Sequence, residues 1–244
     1  MIELTSGDGH SFSAYRAEPA ETPKGAVVVL PDVYGVSAHL QKEVDGFAAQ
    51  GYVAIAPTLA EPEKAPAGDG AASSASLTAA MQEIQAAVDA VKGVGKVAIV
   101  GYDWGGYLAF VGANNLRDVA CAIGYYPAGV SQERLVKRKI PTLVHFPEGE
   151  PTLPLEDIVQ FRAQRPDVSA FSYPNARNGF NFDEAESFDE AAAQSARERT
   201  LFWISQYVEG QKPLALKNAG SYAQAKVEKK KKKSGGDDMG PPDA

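Results

Sequence analysis

The feature that most constrains the fold is a regular alternation of short apolar runs with longer amphipathic stretches. The apolar runs cover residues 25–31, 51–57, 96–103, 120–126, 141–146 and 168–174. Continuous runs of this length are typical of strands buried on both faces of a parallel sheet. Helical stretches lie between and after them, at residues 38–50, 74–92, 106–115, 132–137, 155–164 and 183–208. The alternation predicts an α/β fold with a doubly wound, mostly parallel sheet flanked by helices.

Two segments depart from this alternation. Residues 58–76 are rich in Ala, Pro, Gly and Ser, which predicts an exposed loop near the mouth of any cleft. A lysine block at residues 229–233 precedes a Ser-Gly-Gly-Asp-Asp sequence and a proline-containing end, a composition that cannot bury a core. We therefore predict one folded domain at residues 1–211 and a lysine-rich, disordered tail at 212–244. A solvated tail is the expectation, and contact with RNA or an anionic surface is the alternative.

Composition excludes several classes of protein. The formal net charge is -7, so we expect no nucleic-acid partner for the folded core. The first residues form neither a basic start nor an apolar signal core, and no segment approaches a membrane span, so a cytoplasmic location is the default expectation. Cys121 is the only cysteine and lies in an apolar run, which predicts an inert, buried thiol. No cofactor or metal motif is present, so we expect neither. The oligomeric state is left open.

A glycine-rich turn follows the third apolar run. Residues 97–106 read V-A-I-V-G-Y-D-W-G-G, a buried strand that enters a tight turn and then a helix. This is the layout of a nucleophile elbow, in which a strained turn lifts one side chain into a cleft beside backbone N–H donors. The lifted side chain is Asp103, where hydrolases with this turn carry serine or cysteine. No histidine follows His145, so the usual downstream proton carrier is missing as well.

This turn and five other segments resemble, in order, motifs of the dienelactone hydrolase family. The matches are residues 32–37 (D-V-Y-G-V-S, for E-I-F-G-V-N), 51–57 (the second strand), 101–106 (G-Y-D-W-G-G, for G-Y-C-W-G-G), 145–150 (H-F-P-E-G-E, for H-F-G-E-x-D), 178–181 (N-G-F-N, for H-G-F-N) and 199–202 (R-T-L-F, for R-T-L-x-F). Together they cover roughly residues 1–210. The chain is therefore identified by resemblance as a member of this family.

The resemblance implies an α/β-hydrolase fold and an enzyme that opens lactones or esters with a Cys-His-Asp triad. Carried over by position, the nucleophile becomes Asp103, the histidine becomes Asn178 and the acid becomes Glu150. A carboxylate ionises without a base, so Asp103 could attack a carbon atom unaided. Asn178 cannot accept a proton, and the loss of a general base typically slows a reaction by about 10²–10⁴-fold.

The resemblance also implies an oxyanion hole and a pocket. The backbone N–H groups of Val33 and Trp104 become the oxyanion donors, and Asp32 takes the place of the glutamate that partners the family's cysteine. Tyr34 and Arg177 lie beside these positions and are predicted to belong to the pocket. The alternative for Arg177 is a solvent-facing loop residue.

The three histidines of the chain are candidates for the missing base. His39 falls at the start of a predicted helix near the cleft rim, where an exposed first-turn residue is the favoured interpretation. His145 is expected to be packed or hydrogen-bonded in a structural role. His10 is expected at the surface, in the turn of an N-terminal hairpin.

Three carboxylates would converge at the elbow: Asp32, Asp103 and Glu150. Unpaired like charges raise one another's pKa or attract a cation, so one interpretation is an acidic pocket for an amine, a hydroxyl-rich ligand or a metal ion. The other is structural: Glu150 bonds to the amide and backbone of Asn178, and Asp32 caps the following helix.

The substituted triad positions leave two hypotheses for the function of this chain. In the favoured one, the chain has weak or absent hydrolytic turnover and binds a small molecule or a protein partner in the former active-site cleft. In the alternative, it hydrolyses small esters, lactones or alkyl substrates through Asp103.

Overall fold

An eight-stranded mixed sheet forms the centre of the protein. The computed structural model describes residues 1–59, 74–127, 129–130 and 137–210. The strands are β1 (Ile2–Thr5), β2 (Ser11–Ala17), β3 (Ala26–Leu30), β4 (Val53–Pro57), β5 (Val97–Tyr102), β6 (Val119–Tyr125), β7 (Thr142–Pro147) and β8 (Val168–Tyr173). Their order is β1-β2-β4-β3-β5-β6-β7-β8. β1 and β2 form an antiparallel hairpin, β2 runs antiparallel to β4, and the strands from β3 to β8 are parallel.

The helices are α1 (Ala38–Ala49), α2 (Ser74–Val91), α3 (Trp104–Asn115), α4 (Leu155–Gln164) and α5 (Glu190–Ile204), with a 3₁₀ turn at Lys92–Val94 and a π-helical turn at Ser205–Glu209. α1 and α5 pack on one face of the sheet, where Phe47 and Ile204 are buried in the same cluster. α2 and α3 cover the other face with Ile84 and Leu108. α4 joins α3 on that face through contact between Phe110 and Phe161. Helices on both faces confirm the doubly wound architecture.

Every residue of β3, β4 and β5 is buried, as the continuous apolar runs predict. Cys121, on β6, is fully buried, and burial raises the pKa of its thiol. The thiol is therefore inert, as expected. No helix in the described part of the chain is long and apolar enough to cross a membrane.

The prediction for the last helix was wrong at its start. A helix was expected from residue 183, but α5 begins at Glu190 because the Asp189 side chain accepts a hydrogen bond from the Ala192 N–H and caps it. Successive backbone turns occupy the residues before it. The buried face of α5 consists of Ala192, Ala196, Thr200 and Ile204, and Phe188, which precedes the helix, is exposed.

Some predictions lie outside the described residues. These are the helix at 132–137, except for its last residue, most of the loop at 58–76, and the tail at 212–244. The described residues from Met1 to Gly210 form one compact unit.

Candidate active site

The turn between β5 and α3 has the strained geometry of a nucleophile elbow. Asp103 has φ 50° and ψ -111°, a conformation that costs energy for any residue other than glycine. Its N–H donates to the Tyr125 carbonyl oxygen at 3.0 Å, which holds the turn against β6. The turn also needs glycine: a Cβ atom on Gly105 would lie 2.3 Å from the Pro31 carbonyl oxygen. The sequence therefore places Asp103 at the carboxyl edge of the sheet, as predicted.

No cation among the residues that the structure describes compensates the charge of Asp103. Burial raises the pKa of its carboxyl group, the neighbouring Trp104 backbone N–H lowers it, and the charges of Asp32 and Glu150 raise it further. Asp103 therefore lies close enough to the other two predicted carboxylates to be repelled by each of them. This follows from the topology, because β3 and β5 are parallel neighbours whose ends are in register at Leu30 and Gly101.

The loop after β3 holds Asp32 in a turn of its own. The Asp32 Oδ1 atom accepts from the Tyr34 N–H at 2.8 Å. The expectation that Asp32 caps α1 was wrong, since Ser37 lies closer to the helix and its Oγ atom accepts from the Leu40 N–H at 3.3 Å. Val33 is 41% exposed and Tyr34 is 85% exposed, so this loop lies at the surface.

Glu150 is bonded to backbone and to a neighbouring hydroxyl group. Its Oε2 atom accepts from the Asn178 backbone N–H at 3.2 Å, and its Oε1 atom accepts from Thr152 Oγ1 at 3.0 Å. The Gly149 N–H donates to the Ala176 carbonyl oxygen at 2.8 Å and joins the two loops. The acid and histidine positions of the family motif therefore lie side by side, with a backbone bond between them. Asn178 and Arg177 are both exposed.

A cleft of about 330 Å³ opens beside the elbow. It is lined by Asp32, Tyr34, Gly35, Ser37, His39, Leu40, Tyr102, Asp103, Tyr126, Asn178, Gly179, Phe182, Ala185 and Ser187. Four of the predicted site residues are among them: Asp32, Tyr34, Asp103 and Asn178. Arg177 is not, and no lysine or arginine occurs among the described residues of this lining. The cleft therefore combines carboxylates with aromatic rings.

His39 belongs to the cleft wall, contrary to the exposed first-turn position favoured for it. Its side chain is only 12% exposed, and its Nδ1 atom lies 3.9 Å from Asp183 Oδ1. Its ring packs on Phe182, with 4.4 Å between ring centroids. The Nε2 atom is buried and has no hydrogen-bond partner among the described residues. Its place after the first loop put His39 near the cleft rim, but the sequence gives no sign of its burial, because the Phe182 contact comes from a distant loop.

The other two histidines lie away from the cleft wall. His145 is fully buried, with Nδ1 2.8 Å from the Tyr173 hydroxyl and Nε2 3.0 Å from Thr200 Oγ1. Burial and the charge of Arg199 lower the pKa of His145 to about 3, so the ring is a neutral structural group. His10 follows the turn of the β1–β2 hairpin, and its side chain is 58% exposed. Both placements agree with the sequence-based expectations.

Two tyrosines of the cleft were not predicted as site residues. Tyr102 ends β5 and its hydroxyl donates to Glu43 Oε2 at 3.0 Å, while Tyr126 follows β6 and its hydroxyl donates to Asn181 Oδ1 at 2.8 Å. Because both hydroxyl groups are already bonded, these residues offer the cleft mainly ring surface. Their positions at the carboxyl ends of parallel strands were the signal that could have identified them.

Comparison with known proteins agrees with this architecture. The model of the dienelactone hydrolase family matches residues 12–208. A carboxymethylenebutenolidase of Pseudomonas putida is 27% identical over 226 residues, which cover 84% of this chain and 95% of that protein. Carboxymethylenebutenolidase 1 of Cupriavidus pinatubonensis is 26% identical over 225 residues, covering 82% and 94%.

Solved structures show the same fold at lower identity. A dienelactone hydrolase-like promiscuous phosphotriesterase from metagenomic libraries has a TM-score of 0.64 and 19% identity, covering 85% of this chain and 98% of that one. An esterase of Pyrococcus furiosus has a TM-score of 0.63 and 12% identity, covering 84% and 89%.

Proposed function

We propose, since this chain belongs to the dienelactone hydrolase family, that its elbow cleft binds a small molecule and hydrolyses esters or lactones weakly or not at all. The observation that carries this proposal is the pair of groups at the nucleophile and base positions of the family motif. Asp103 is a carboxylate on the strained turn, and Asn178 beside Glu150 has no group that can take a proton.

The hydrogen bonding at the elbow supports the same conclusion. A tetrahedral oxyanion needs preorganised N–H donors, and each such donor is worth about 10²–10³-fold in rate. The Trp104 N–H, one of the two donors inferred from the family motif, lies close enough to the Asp103 carboxylate to lower its pKa. A developing oxyanion would compete with that carboxylate for the donor and would be repelled by its charge. A cysteine at this position would present no such competition in its neutral form.

Steady-state hydrolysis tests the proposal. The unmodified protein and Asp103→Ala are incubated with p-nitrophenyl acetate and with a dienelactone, and product is followed over many enzyme equivalents. We expect the two proteins to agree within about twofold. Glu18→Gln, which changes an exposed carboxylate paired with Arg16, is the matched control. Sustained turnover that disappears in Asp103→Ala but persists in the control would overturn the proposal.

One observation favours a second candidate function, a hydrolase with Asp103 as nucleophile. His39 lies in the cleft wall with an unpartnered nitrogen, so it could serve as the base that Asn178 cannot be. In such a reaction an Asp103 oxygen bonds to a carbon bearing a halide, and the halide leaves with the bonding electrons. Water that gives its proton to His39 then attacks the carbonyl carbon of the resulting ester, the alkyl group leaves as the alcohol, and the carboxylate is restored.

Two measurements during incubation with a reactive alkyl halide separate the two functions: the amount of halide released over time and the intact mass of the protein. Continuous halide release that is abolished by both Asp103→Ala and His39→Gln would establish the second candidate. A lasting adduct on Asp103, or no reaction, would exclude it.

A further inference from the structure

The walls of the elbow cleft have a composition that selects for ligand charge. Asp32 and Asp103 supply carboxylate oxygens, and five aromatic rings line the same space: those of Tyr34, His39, Tyr102, Tyr126 and Phe182. Asp32 and Glu150 raise the pKa of Asp103, and no lysine or arginine lies among the lining residues that the structure describes. An anionic ligand would add to the repulsion at Asp103.

A second observation, independent of the acidic groups, indicates an unfilled hydrogen-bonding position. The buried His39 Nε2 atom has no partner among the described residues, although buried polar atoms are nearly always hydrogen-bonded. The Asp183 carboxylate beside Nδ1 favours the tautomer with its proton there, which leaves Nε2 as an acceptor. An acceptor of this kind is suited to the N–H of a ligand.

The described residues do not offer a site for a metal ion. No group of three His, Cys, Asp or Glu side chains lies close enough to hold one in the part of the chain that the structure describes. The remaining lining combines aromatic rings with the apolar side chains of Leu40 and Ala185 and the hydroxyl groups of Ser37 and Ser187. Ring faces attract organic cations, at about 0.5–2 kcal/mol for each contact.

We infer that the cleft binds a small primary ammonium ion that carries an aromatic or aliphatic group. The ammonium lies between the carboxylates of Asp32 and Asp103, and its organic part contacts the rings of Tyr102, Tyr126 and Phe182. This inference rests on the proposed function, because it assigns a ligand class to the same cleft.

Three probes of nearly equal shape test the charge preference: 2-phenylethylamine, 2-phenylethanol and phenylacetate. Affinity is measured at pH 7 by calorimetry or by ligand-observed NMR on the full chain. We expect the amine to bind at least about tenfold more tightly than the alcohol, since one charge-assisted contact is worth about 1.4 kcal/mol or more. We expect no measurable binding of phenylacetate. Equal binding of alcohol and amine, or tighter binding of the anion, would overturn the inference.

Variants locate the binding site. Asp103→Asn keeps the shape of the side chain and should weaken amine binding about tenfold or more, while alcohol binding changes little. Glu18→Gln should leave amine binding unchanged, because Glu18 follows β2, at the edge of the sheet opposite the elbow. Amine binding that is equal in Asp103→Asn and the parent would contradict the assignment.

The two proposals fail in different ways. If the amine does not bind and ester turnover is absent, the ligand class is wrong and the proposed function stands. If ester turnover is sustained through Asp103, the proposed function fails whatever the amine does.

Discussion

At the scale of single residues, the charge of Asp103 affects both the stability of the fold and the ligand preference proposed for the cleft. A buried carboxylate with a raised pKa is protonated more readily in the folded protein than in the unfolded chain. The stability that this group contributes is therefore fully present below its unfolded pKa and is lost as pH rises through its folded pKa. At neutral pH the ionised group opposes folding. A binding site that keeps such a residue exchanges stability for electrostatic attraction of a ligand.

Asp103→Asn should therefore stabilise the protein at pH 7. The amide keeps the size of the side chain and an oxygen for the Trp104 N–H, and it removes the repulsion from Asp32 and Glu150. We expect a higher Tm, by about 2–4 °C for each kcal/mol recovered, and a gain that shrinks as pH falls below the pKa of Asp103. Thermal melts at pH 7 and pH 3.5 measure it, with Glu18→Gln as control. A lower Tm for Asp103→Asn at pH 7 would contradict this view of the site.

His145 should make the fold sensitive to mild acid. Its pKa in the folded protein is lowered to about 3, whereas in the unfolded chain it is near 6.5, so the unfolded state binds the extra proton first as pH falls. The stability from the neutral ring is complete above pH 6.5 and declines until pH 3. We expect the titration of His145 alone to lower the free energy of unfolding by about 2 kcal/mol between pH 7 and pH 5.

Urea unfolding at pH 7 and pH 5 tests this expectation. His145→Gln keeps a donor and an acceptor for Tyr173 and Thr200 but cannot titrate. It should be less stable than the parent at pH 7, with a smaller loss on acidification. An equal loss in both proteins would assign the effect to other groups.

At the scale of elements, the close approach of α3 to β3 and β6 fixes the elbow. A Cβ atom on Gly105 would lie 2.4 Å from the Leu30 carbonyl oxygen, and one on Gly106 would lie 2.6 Å from the Tyr125 carbonyl oxygen. Because these contacts are with backbone, a rotamer change cannot relieve them. The position of Asp103 is therefore set by the packing of a helix on two strands.

Gly105→Ala should destabilise the protein by about 3 kcal/mol or more, because the helix must move away from the sheet. Gly93→Ala is the matched control, since a Cβ atom there meets no atom within 4 Å. Its effect should stay within about 1 kcal/mol. Chemical unfolding of the two variants gives the comparison. A Gly105→Ala protein as stable as the control would mean that the elbow is less tightly packed than described.

A comparison of predicted and observed helix and strand bounds shows which parts of this fold can be predicted from the sequence. β3, β4 and β5 were predicted within two residues of their ends, because strands buried on both faces need uninterrupted apolar runs. The start of α5 was predicted seven residues too early, because a polar segment with helical spacing continues upstream of the Asp189 cap. At the site, Asp32 and Asp103 follow strand ends and could be placed. His39 could not, because its burial depends on Phe182, a residue far away in the chain.

At the scale of the whole molecule, the compact unit is complete by Gly210. The last buried side chains before it are Ile204 on α5 and Val208 on the π-helical turn, and both belong to the core cluster that covers one face of the sheet. The fold therefore needs the chain as far as that turn.

A protein ending at residue 211 should have the same Tm as the full chain, within about 1 °C. A protein ending at Trp203 loses Ile204 and Val208 and should be strongly destabilised, since deletion of one large buried side chain already costs about 2–5 kcal/mol. Calorimetry of both truncations tests the domain boundary. If the protein that ends at residue 211 is much less stable than the full chain, the domain boundary lies closer to the C-terminus.

The central proposal is that the family scaffold persists while Asp103 and Asn178 stand where the family motif has its nucleophile and its histidine. The most direct measurement is kcat/KM for ester hydrolysis by the double variant Asp103→Cys with Asn178→His, compared with the unmodified protein. Restored thiolate and imidazole chemistry on an intact scaffold predicts a gain of at least about 10²-fold. No gain, with the double variant folded, would contradict the claim that the scaffold of the cleft is preserved.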